Sequence, residues 1–361
     1  GLEQGDTYRS AAHDFEIRTV AEGLEVPWAM TWLPNGDMLV TERPGRLRIV
    51  RNGSLLAAPV EGVPEVHAVG QGGLFDVLPH PDFESNKLVY LSFSKPLPAE
   101  STTTVIRGTF ENDRLSNVET IFQADTAGRN GHYGGRIAFD NDGYLFITIG
   151  DRQAPPSGNL EAHPAQDLAN HNGTVIRLHD DGRVPSDNPF VGRRDALPEI
   201  YSYGHRNPQG IDIHPVTGDV WTDEHGPQGG DELNIEEAGK NYGWPVIGYG
   251  VNYGPGLPIH SSQQSEGMEQ PKHFWVPSIA TAGLMIYSGD LFPNWKGDIF
   301  VGGLRGQQLA RVDLNDEGKM TMMEETLLNG IGRIRDIHQG PEGAIYIATE
   351  NRGILRLTPS N

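Results

Sequence analysis

A short motif recurs six times along the 361 residues: a turn containing Gly or Asn, followed at once by an apolar or aromatic strand. The copies lie at residues 35–40, 86–91, 142–147, 217–221, 296–301 and 342–347. Each is typical of a hairpin turn between two strands of a small antiparallel sheet. Small sheets repeated at about 40–50 residues are the signature of a β-propeller. We therefore predict an all-β fold, a six-bladed β-propeller with long loops on its top face.

The composition favours one domain. The 46 glycines and 26 prolines are spread along the chain, which indicates many tight turns rather than disorder. Amphipathic helical stretches are nearly absent. A β-sandwich or two β domains are the alternatives, but no linker-like shift in composition supports a division. We expect a single propeller over residues 1–361, with residues 1–14 as an N-terminal extension.

Charge and residue usage exclude several classes of function. The chain has no cysteine, so disulfides, thiolate metal sites and cysteine nucleophiles are excluded. A net charge of -20 argues against nucleic acid and anionic membrane surfaces as partners. No run approaches the ~20 apolar residues of a membrane span, so we expect no membrane insertion. Residue 1 is Gly rather than Met, and we expect a processed periplasmic or secreted protein.

The segment from residue 201 to 245 is the densest candidate for a functional surface. It contains Gly-His-Arg-Asn-Pro-Gln-Gly at 204–210, Glu-His-Gly-Pro at 224–227, Gly-Asp-Glu at 230–232 and Asn-Tyr-Gly-Trp-Pro at 241–245. Each piece mixes Gly or Pro with polar side chains, which predicts shaped turns that present carbonyls and charged groups together. Such loops more often serve binding or catalysis than structure alone.

His132 is the candidate general base. Glycines on both sides of it, in residues 130–136, open the backbone and bring the imidazole to a loop surface. A neutral imidazole is a natural base near physiological pH. Asp151 ends the next strand of the same predicted blade, so a hairpin would place both side chains at the same rim. A histidine that merely caps a turn is the alternative interpretation.

Several arginines are candidates for anion binding. Arg206 with Asn207, together with Arg333 and Arg335, could clamp a multiply anionic ligand from the rim of the propeller, since guanidinium groups match carboxylates. Arg305 is a further candidate for the same rim. Exposed salt bridges to the many acidic residues are the alternative.

Oxygen donors in the same loops suit a hard cation. The carbonyls of Gly226 and Pro227, with the acids Asp231 and Glu232, fit the preference of calcium for oxygen. The histidines nearby lack an established zinc spacing. No strand-to-helix Gly-x-Gly-x-x-Gly and no Gly-Lys-Ser/Thr loop occurs, so nicotinamide and nucleotide phosphates have no support.

At these residues the chain resembles the soluble quinoprotein sugar dehydrogenases, the glucose/sorbosone dehydrogenase-like family that uses pyrroloquinoline quinone (PQQ), and most of all its bacterial aldose sugar dehydrogenase branch. The resemblance runs from residue 26 to residue 350. The motifs in family order are Gly-Gln-Gly-Gly-Leu at 70–74, His-Pro-Asp-Phe at 80–83, His-Tyr-Gly-Gly-Arg at 132–136, the four pieces of residues 204–245 and Arg-Ile-Arg-Asp at 333–336.

The resemblance implies a reaction. PQQ would lie on top of a six-bladed propeller, and an aldose would be oxidised at C1 to the lactone. His132 would take the proton of the anomeric hydroxyl, Asp151 would orient His132, and hydride would pass from C1 to PQQ. Arg206 would stabilise the negative charge that grows on the quinone oxygen. The electrons would then pass to an external acceptor.

The resemblance also implies binding residues. The positions that would contact PQQ are Gln71, His132, Arg206, Asn207, Arg305, Arg333 and Arg335. Arg305 stands where the glucose dehydrogenases carry Lys. The carbonyls of Gly226 and Pro227 match the ligands of the calcium that polarises PQQ, and Glu232 and Tyr242 match a second, structural calcium. The chain is shorter than the dimeric glucose enzymes, so we expect a monomer.

Two other functions remain open from the sequence. A calcium-dependent lactonase on a similar propeller would hold its metal centrally with carboxylates and amides, whereas the acids here cluster in one loop. A noncatalytic propeller that binds a partner would leave His132, Asp151 and the arginines without a role.

Overall fold

In a computed structural model of the chain, which describes residues 5–226, 230–248, 266–275 and 278–360, twenty-five strands form six antiparallel sheets. Helix is nearly absent from these ranges. The helical elements are α1 (Phe83–Asn86) and the 3-10 turns Leu160–Ala162, Pro164–Gln166 and Pro293–Trp295. The prediction of an all-β, six-bladed propeller is confirmed.

The strands follow the chain in blade order. Two strands come before the first blade: β1 (Thr7–Tyr8) and β2 (Phe15–Ala21). The first blade is β3 (Pro27–Trp32), β4 (Met38–Glu42), β5 (Arg46–Arg51) and β6 (Ser54–Leu55). The second is β7 (Leu74–Pro79), β8 (Leu88–Pro96), β9 (Ser101–Glu111) and β10 (Arg114–Gln123). The third is β11 (Ile137–Phe139), β12 (Leu145–Ile149), β13 (Thr174–Leu178) and β14 (Ile200–Ser202).

The second half repeats the pattern. The fourth blade is β15 (Asn207–Ile213), β16 (Val220–His225), β17 (Asp231–Glu236) and β18 (His273–Trp275). The fifth is β19 (Thr281–Ile286), β20 (Ile299–Gly303), β21 (Leu309–Leu314) and β22 (Thr321–Leu327). The sixth is β23 (Ile334–Gln339), β24 (Ile345–Thr349) and β25 (Gly353–Pro359), to which β2 and β1 add. Each of the six sequence motifs lies at the turn between the first and second strand of a blade.

The ring closes by pairing the two ends of the chain. β2 is antiparallel to β25, with Phe15 opposite Pro359, so the sixth blade contains strands from both termini. The described part of the expected N-terminal extension is packed, since β1 pairs with β2 and the His13 ring lies 5.0 Å from Trp295.

An aspartate on the innermost strand of a blade bridges every second gap between blades. Its carboxylate accepts a backbone N–H from the next blade. The pairs are Asp76 with Ile137 (3.0 Å), Asp212 with Ile286 (2.8 Å) and Asp336 with Met30 (3.0 Å). Asp336 also accepts a hydrogen bond from Arg136 (3.1 Å), which lies just before β11 and so links the sixth blade to the third.

The core lies between blades, because each sheet buries both faces against its neighbours. Leu39 of the first blade packs in one cluster with Leu91 of the second, and Tyr90 of the second packs with Ile147 of the third. Polar side chains are thereby left to the loops and the axis. Among the described residues, no helix is both long and apolar enough to cross a membrane.

Candidate active site

His132 and Asp151 form a hydrogen-bonded pair at the top of the third blade. His132 lies in the loop before β11, and Asp151 lies just after β12. The His132 Nδ1 atom is 2.6 Å from Asp151 Oδ1, and Asp151 is 1 % exposed. The backbone of His132 is left-handed (φ 50°), an uncommon conformation for a residue with a Cβ atom. The structure thus brings together the two residues that the sequence predicted at one rim.

The electrostatics of the pair define its protonation. Burial alone would raise the pKa of Asp151, but the charge and hydrogen bond of His132 bring that pKa below its ordinary value. An ionised carboxylate can only accept, so Nδ1 of His132 must donate and Nε2 keeps its lone pair. Burial and then the charge of Arg206 lower the pKa of His132, against the opposing effect of Asp151. His132 is therefore neutral at physiological pH, as a general base must be.

Two contacts fix the backbone around His132. Gln71 Oε1 accepts the backbone N–H of His132 at 3.0 Å, and the carbonyl of His132 accepts the N–H of Arg152 at 3.2 Å. Gly150 allows the two strand ends to approach, because a Cβ atom there would lie 1.9 Å from the His132 carbonyl oxygen. Gln71, predicted as a cofactor contact, thus also supports the base.

Arg206 lies close to this pair and is 8 % exposed. Its guanidinium donates to the carbonyl of Gly226 (2.9 Å), and its backbone N–H donates to Glu224 Oε2 (2.7 Å). Glu224 and Glu236 flank the buried His205. Burial is the largest single influence and would lower the pKa of His205, but the two carboxylates together raise it to about 10. Arg206 is thereby anchored on a buried ionic cluster.

A cavity of about 310 Å³ opens next to these residues on the same side of the ring. Its polar lining is Arg43, Gln71, Gln209, His225, Arg333, Arg335 and Glu350, with Trp28, Phe75 and Tyr133 as aromatic walls. Among the described lining residues, three arginines therefore face a single acidic side chain, which makes the cavity suited to an anion.

Arg335 is the most constrained of these cations. It is 8 % exposed, which corrects the expectation of a residue on an open rim. Its guanidinium donates to Gln209 Oε1 (2.9 Å) and lies 3.6 Å from Glu350, while Nε has no hydrogen-bond partner among the described residues. Burial lowers its pKa to about 9, so it stays protonated at neutral pH. A buried donor without an acceptor indicates a place for a ligand oxygen.

The other predicted anion-binding residues are placed differently. Arg333 lies at the mouth of the cavity, where its Nε donates to Glu350 Oε2 at 2.9 Å. Asn207 is buried, and its Oδ1 accepts the N–H of Gly134 (3.1 Å), so it supports the loop of His132. The Arg305 side chain is exposed, and the cavity wall at that point is Leu304.

The predicted calcium ligands are only partly described. Pro227 lies outside the described residues. The carbonyl of Gly226 accepts from Arg206, while its N–H donates to Asp231 Oδ1 at 2.7 Å. Burial and then the charge of Glu224 raise the pKa of Glu232 well above its ordinary value.

Tyr242 and the grouping of the acids limit how a metal could be bound. The Tyr242 hydroxyl donates to the carbonyl of Ile235 at 2.5 Å and accepts the backbone N–H of Glu237 at 2.9 Å, so it is already engaged within the protein. Within the described ranges, no group of three or more His, Asp or Glu side chains is arranged to hold a metal ion. A calcium ion held by the described residues would therefore need backbone carbonyls or oxygens of a bound ligand in addition to side-chain carboxylates.

The sequence interpretation missed four residues of the site: Arg43, Gln209, His225 and Glu350. Gln209 and His225 lie inside motifs that were singled out, two residues after Asn207 and one before Gly226. His225 is half-buried, and its buried Nε2 atom has no partner in the described part of the chain. Arg43 carries no comparable signal, because only the closed ring brings it to the cavity. Glu350 lies in no motif that was interpreted, although the hairpin of β23 and β24 places it beside Arg333.

The fold and the site define a six-bladed propeller that carries a His–Asp base pair beside a cationic cavity. The chain belongs to the family described as Glucose / Sorbosone dehydrogenase, whose family model matches residues 24–356. Its enzymatic class is therefore that of a sugar-oxidising oxidoreductase.

Individual relatives agree with this assignment. The aldose sugar dehydrogenase YliI of Escherichia coli is 39 % identical over 353 residues, 96 % of this chain and 93 % of that protein. The crystal structure of the soluble aldose sugar dehydrogenase from Escherichia coli in its apo form superposes with a TM-score of 0.89, at 37 % identity, over 96 % of this chain and 100 % of that one. The PQQ-bound aldose sugar dehydrogenase of Streptomyces coelicolor has a TM-score of 0.78, 27 % identity and coverages of 96 % and 98 %.

Proposed function

We propose that this chain oxidises aldose sugars at C1 to the lactone with PQQ and calcium as cofactors, and passes the electrons to an external acceptor. The observation that carries the proposal is the buried guanidinium of Arg335, whose Nε lacks a partner among the described residues, in a cavity beside a neutral base. The PQQ-bound relative and the sugar dehydrogenase family support it.

The cavity fits the charge of PQQ. PQQ carries three carboxylates, and Arg43, Arg333 and Arg335 face the cavity with only Glu350 to neutralise them. Arg335 would donate from Nε, where a ligand oxygen satisfies a buried donor. Trp28 and Phe75 provide apolar walls for a planar ring system. The residues present are thus suited to a planar, polyanionic cofactor.

When bound, PQQ supplies the acceptor for the hydride that leaves the sugar C1. The chain's own contribution is the proton. Nε2 of His132 takes the proton of the anomeric hydroxyl, while Nδ1 continues to donate to Asp151. The carboxylate of Asp151 stabilises the imidazolium that results, at a distance of 2.6 Å. Arg206 adds a fixed positive charge in the same region, which favours negative charge developing on a neighbouring oxygen.

Fewer of the described side chains support calcium than support PQQ. The carbonyls of Gly226 and Pro227 would hold one ion, and Glu232 with Tyr242 would hold a second. These are hard oxygen donors, as calcium requires. We also propose that the protein is a monomer in the periplasm or outside the cell. A net charge of -20 and the absence of cysteine are compatible with that location.

The test is reconstitution of cofactor-free protein. Addition of PQQ and calcium should switch on aldose oxidation with a dye acceptor, and a panel of sugars then defines the preferred substrate. NAD should have no effect, and chelation of calcium before PQQ is added should prevent activation. His132→Gln should lower kcat by about 10²-fold or more while PQQ still binds. Sugar oxidation that needs NAD alone, or full turnover by the His132 variant, would refute the proposal.

A further inference from the structure

We propose that Trp244 is a positioning residue for the base, which acts by fixing the carboxylate of Asp151 against His132. The inference rests on the proposed function of His132. The indole Nε1 of Trp244 donates to Asp151 Oδ2 at 2.8 Å, and both side chains are buried. Trp244 follows β17 in a loop of the fourth blade, so this contact joins a different blade to the base pair of the third.

The two oxygens of Asp151 have separate partners. Oδ1 accepts from His132 Nδ1 (2.6 Å) and from the backbone N–H of Gln153 (2.9 Å). Oδ2 accepts from Trp244. A carboxylate with distinct donors on each oxygen cannot rotate without breaking a buried hydrogen bond. The indole thus keeps Oδ1 directed at the imidazole.

His163 cannot replace this contact. Its Nε2 lies 3.7 Å from Asp151 Oδ2, beyond hydrogen-bond distance, and that nitrogen lies 3.0 Å from the carbonyl of Ala154. Its Nδ1 accepts the backbone N–H of Ala165 at 3.0 Å, which places the ring proton on Nε2 and directs it to Ala154. Trp244 is therefore the side chain that saturates Oδ2.

The orientation of Asp151 decides which nitrogen of His132 is the base. An acceptor at Nδ1 holds the proton there and leaves the lone pair on Nε2. Without a fixed acceptor, the imidazole distributes its proton over both nitrogens, and only part of the protein is competent to accept the substrate proton. In the Ser-His-Asp triad, a buried aspartate that orients a histidine has this same function.

The same indole also borders the catalytic arginine. The guanidinium carbon of Arg206 lies 5.5 Å from the centre of the Trp244 ring, a cation–π distance. The Trp244 backbone is held on both sides, since its N–H donates to the carbonyl of Gly204 (2.9 Å) and its carbonyl accepts from Gln166 Nε2 (2.8 Å). A ring fixed in this way can serve as a common support for the base and for Arg206.

The experiment compares Trp244→Phe with the wild type in cofactor-free protein, by the ¹⁵N chemical shifts of the His132 imidazole, which report its tautomer. His132→Gln identifies the signals. The wild type should show one tautomer, protonated at Nδ1, and Trp244→Phe should show a mixture of both. After reconstitution with PQQ and calcium, kcat should fall about tenfold, the effect of one hydrogen bond to a charged group. The sugar KM should change much less.

Trp295→Phe is the matched control. Trp295 is fully buried in the fifth blade, and its Nε1 has no partner in the described part of the chain, so this change removes an indole N–H without removing a hydrogen bond. It should leave the His132 tautomer and kcat as in the wild type. If Trp244→Phe fails to fold, 3-benzothienylalanine at position 244, which exchanges the N–H for sulfur in a ring of the same shape, gives the same comparison.

A single Nδ1–H tautomer in a folded variant without the 244 N–H would overturn the inference, as would a kcat within twofold of the wild type. The tautomer is measured without PQQ or sugar. Its outcome is therefore independent of the proposed sugar oxidation, whose failure would appear as an inactive wild type.

Discussion

Glu350 forms an ion pair with Arg333, with Nε of the arginine 2.9 Å from Oε2, and its second oxygen lies 3.6 Å from Arg335. One carboxylate thus occupies the two arginines that are proposed to bind the carboxylates of PQQ. An anionic cofactor must compete with Glu350 or share these cations with it. The affinity of the cofactor-free protein for PQQ should therefore depend on Glu350, a residue that lies in no recognised motif.

Glu350→Gln should bind PQQ more tightly than the wild type, by about three- to tenfold at low salt. Removal of the carboxylate leaves the cationic side chains without their internal partner, and partly buried charges are only weakly screened. The measurement is a PQQ titration of cofactor-free protein at two salt concentrations. Glu342→Gln is the control, because Glu342 pairs with Arg356 rather than with a cavity arginine (3.2 Å). Weaker binding by Glu350→Gln would show that Glu350 instead positions the arginines.

Arg335→Ala should weaken PQQ binding by about ten- to a hundredfold, since a hydrogen bond to a charged partner contributes about 1.5–3 kcal/mol. The same variant should lose little stability, because the change removes a buried charge whose Nε has no partner among the described residues. Equal apparent affinities in a titration followed by activity would remove Arg335 from the cofactor site. Arg356→Ala, whose pairing partner is Glu342, controls for the loss of a surface arginine.

The pH dependence follows from the lowered pKa of His132. Since burial and Arg206 both favour the neutral imidazole, kcat/KM should rise with pH through a value below 6.5 and be constant at neutral pH. The stability of the folded protein should change in the same direction and increase as the pH rises. A histidine with a depressed pKa contributes stability above its unfolded pKa, and this contribution is lost as the pH falls below 6.5 toward the folded value.

Arg206→Gln tests the electrostatic cause directly. Removal of this cation should raise the pKa of His132, as measured by NMR titration of cofactor-free protein. Arg183→Gln, which removes an exposed cation paired with Asp181 (2.7 Å), should leave the pKa unchanged. A His132 pKa that does not move in the Arg206 variant would mean that the charge of Arg206 is not among its causes.

Much of this architecture can be read from local sequence. A turn at 142–143 before an apolar strand indicates a hairpin because glycine supplies the positive φ that the turn requires. The same reasoning holds at four of the other five positions, whereas at residues 86–91 the positive φ belongs to Lys87 (58°). His132 and Asp151 were predicted together because one hairpin joins them. Local rules were sufficient for this pair because both residues belong to the same blade.

Contacts between distant blades could not be predicted in this way. Trp244 and Asp151 are 93 residues apart, and Arg335 and Gln209 are 126 residues apart. A motif shows that these residues are unusual but not what each one touches. The burial of Arg335 was missed for the same reason, since the exposure of a side chain near the axis depends on how closely the innermost strands of different blades approach one another.

Asp336→Ala should destabilise the protein more than Asp212→Ala. Both carboxylates accept a backbone N–H of the next blade, but Asp336 also pairs with the buried Arg136 at 3.1 Å. Removal of one partner of a buried ion pair costs about 3–5 kcal/mol, whereas loss of an acceptor for one N–H costs about 1–3 kcal/mol. Denaturant midpoints of the two variants give the comparison. Equal losses would mean that the pair with Arg136 adds nothing to stability.

Gly150→Ala should reduce turnover strongly without unfolding the propeller. A Cβ atom at this position would lie 1.9 Å from the carbonyl oxygen and 2.4 Å from the carbonyl carbon of His132, and backbone atoms cannot move aside as a side-chain end can. The loop of His132 must shift, and a displacement of about 1 Å in a catalytic group can lower the rate by about 10²-fold. Gly108→Ala on the second blade is the control, since an added Cβ atom there would meet the side chain of Leu115 at 2.8 Å and the carbonyl oxygen of Ser116 at 3.0 Å, far from His132. Activity near that of the wild type in Gly150→Ala would show that the site tolerates movement of His132, and would then argue against His132 as the base.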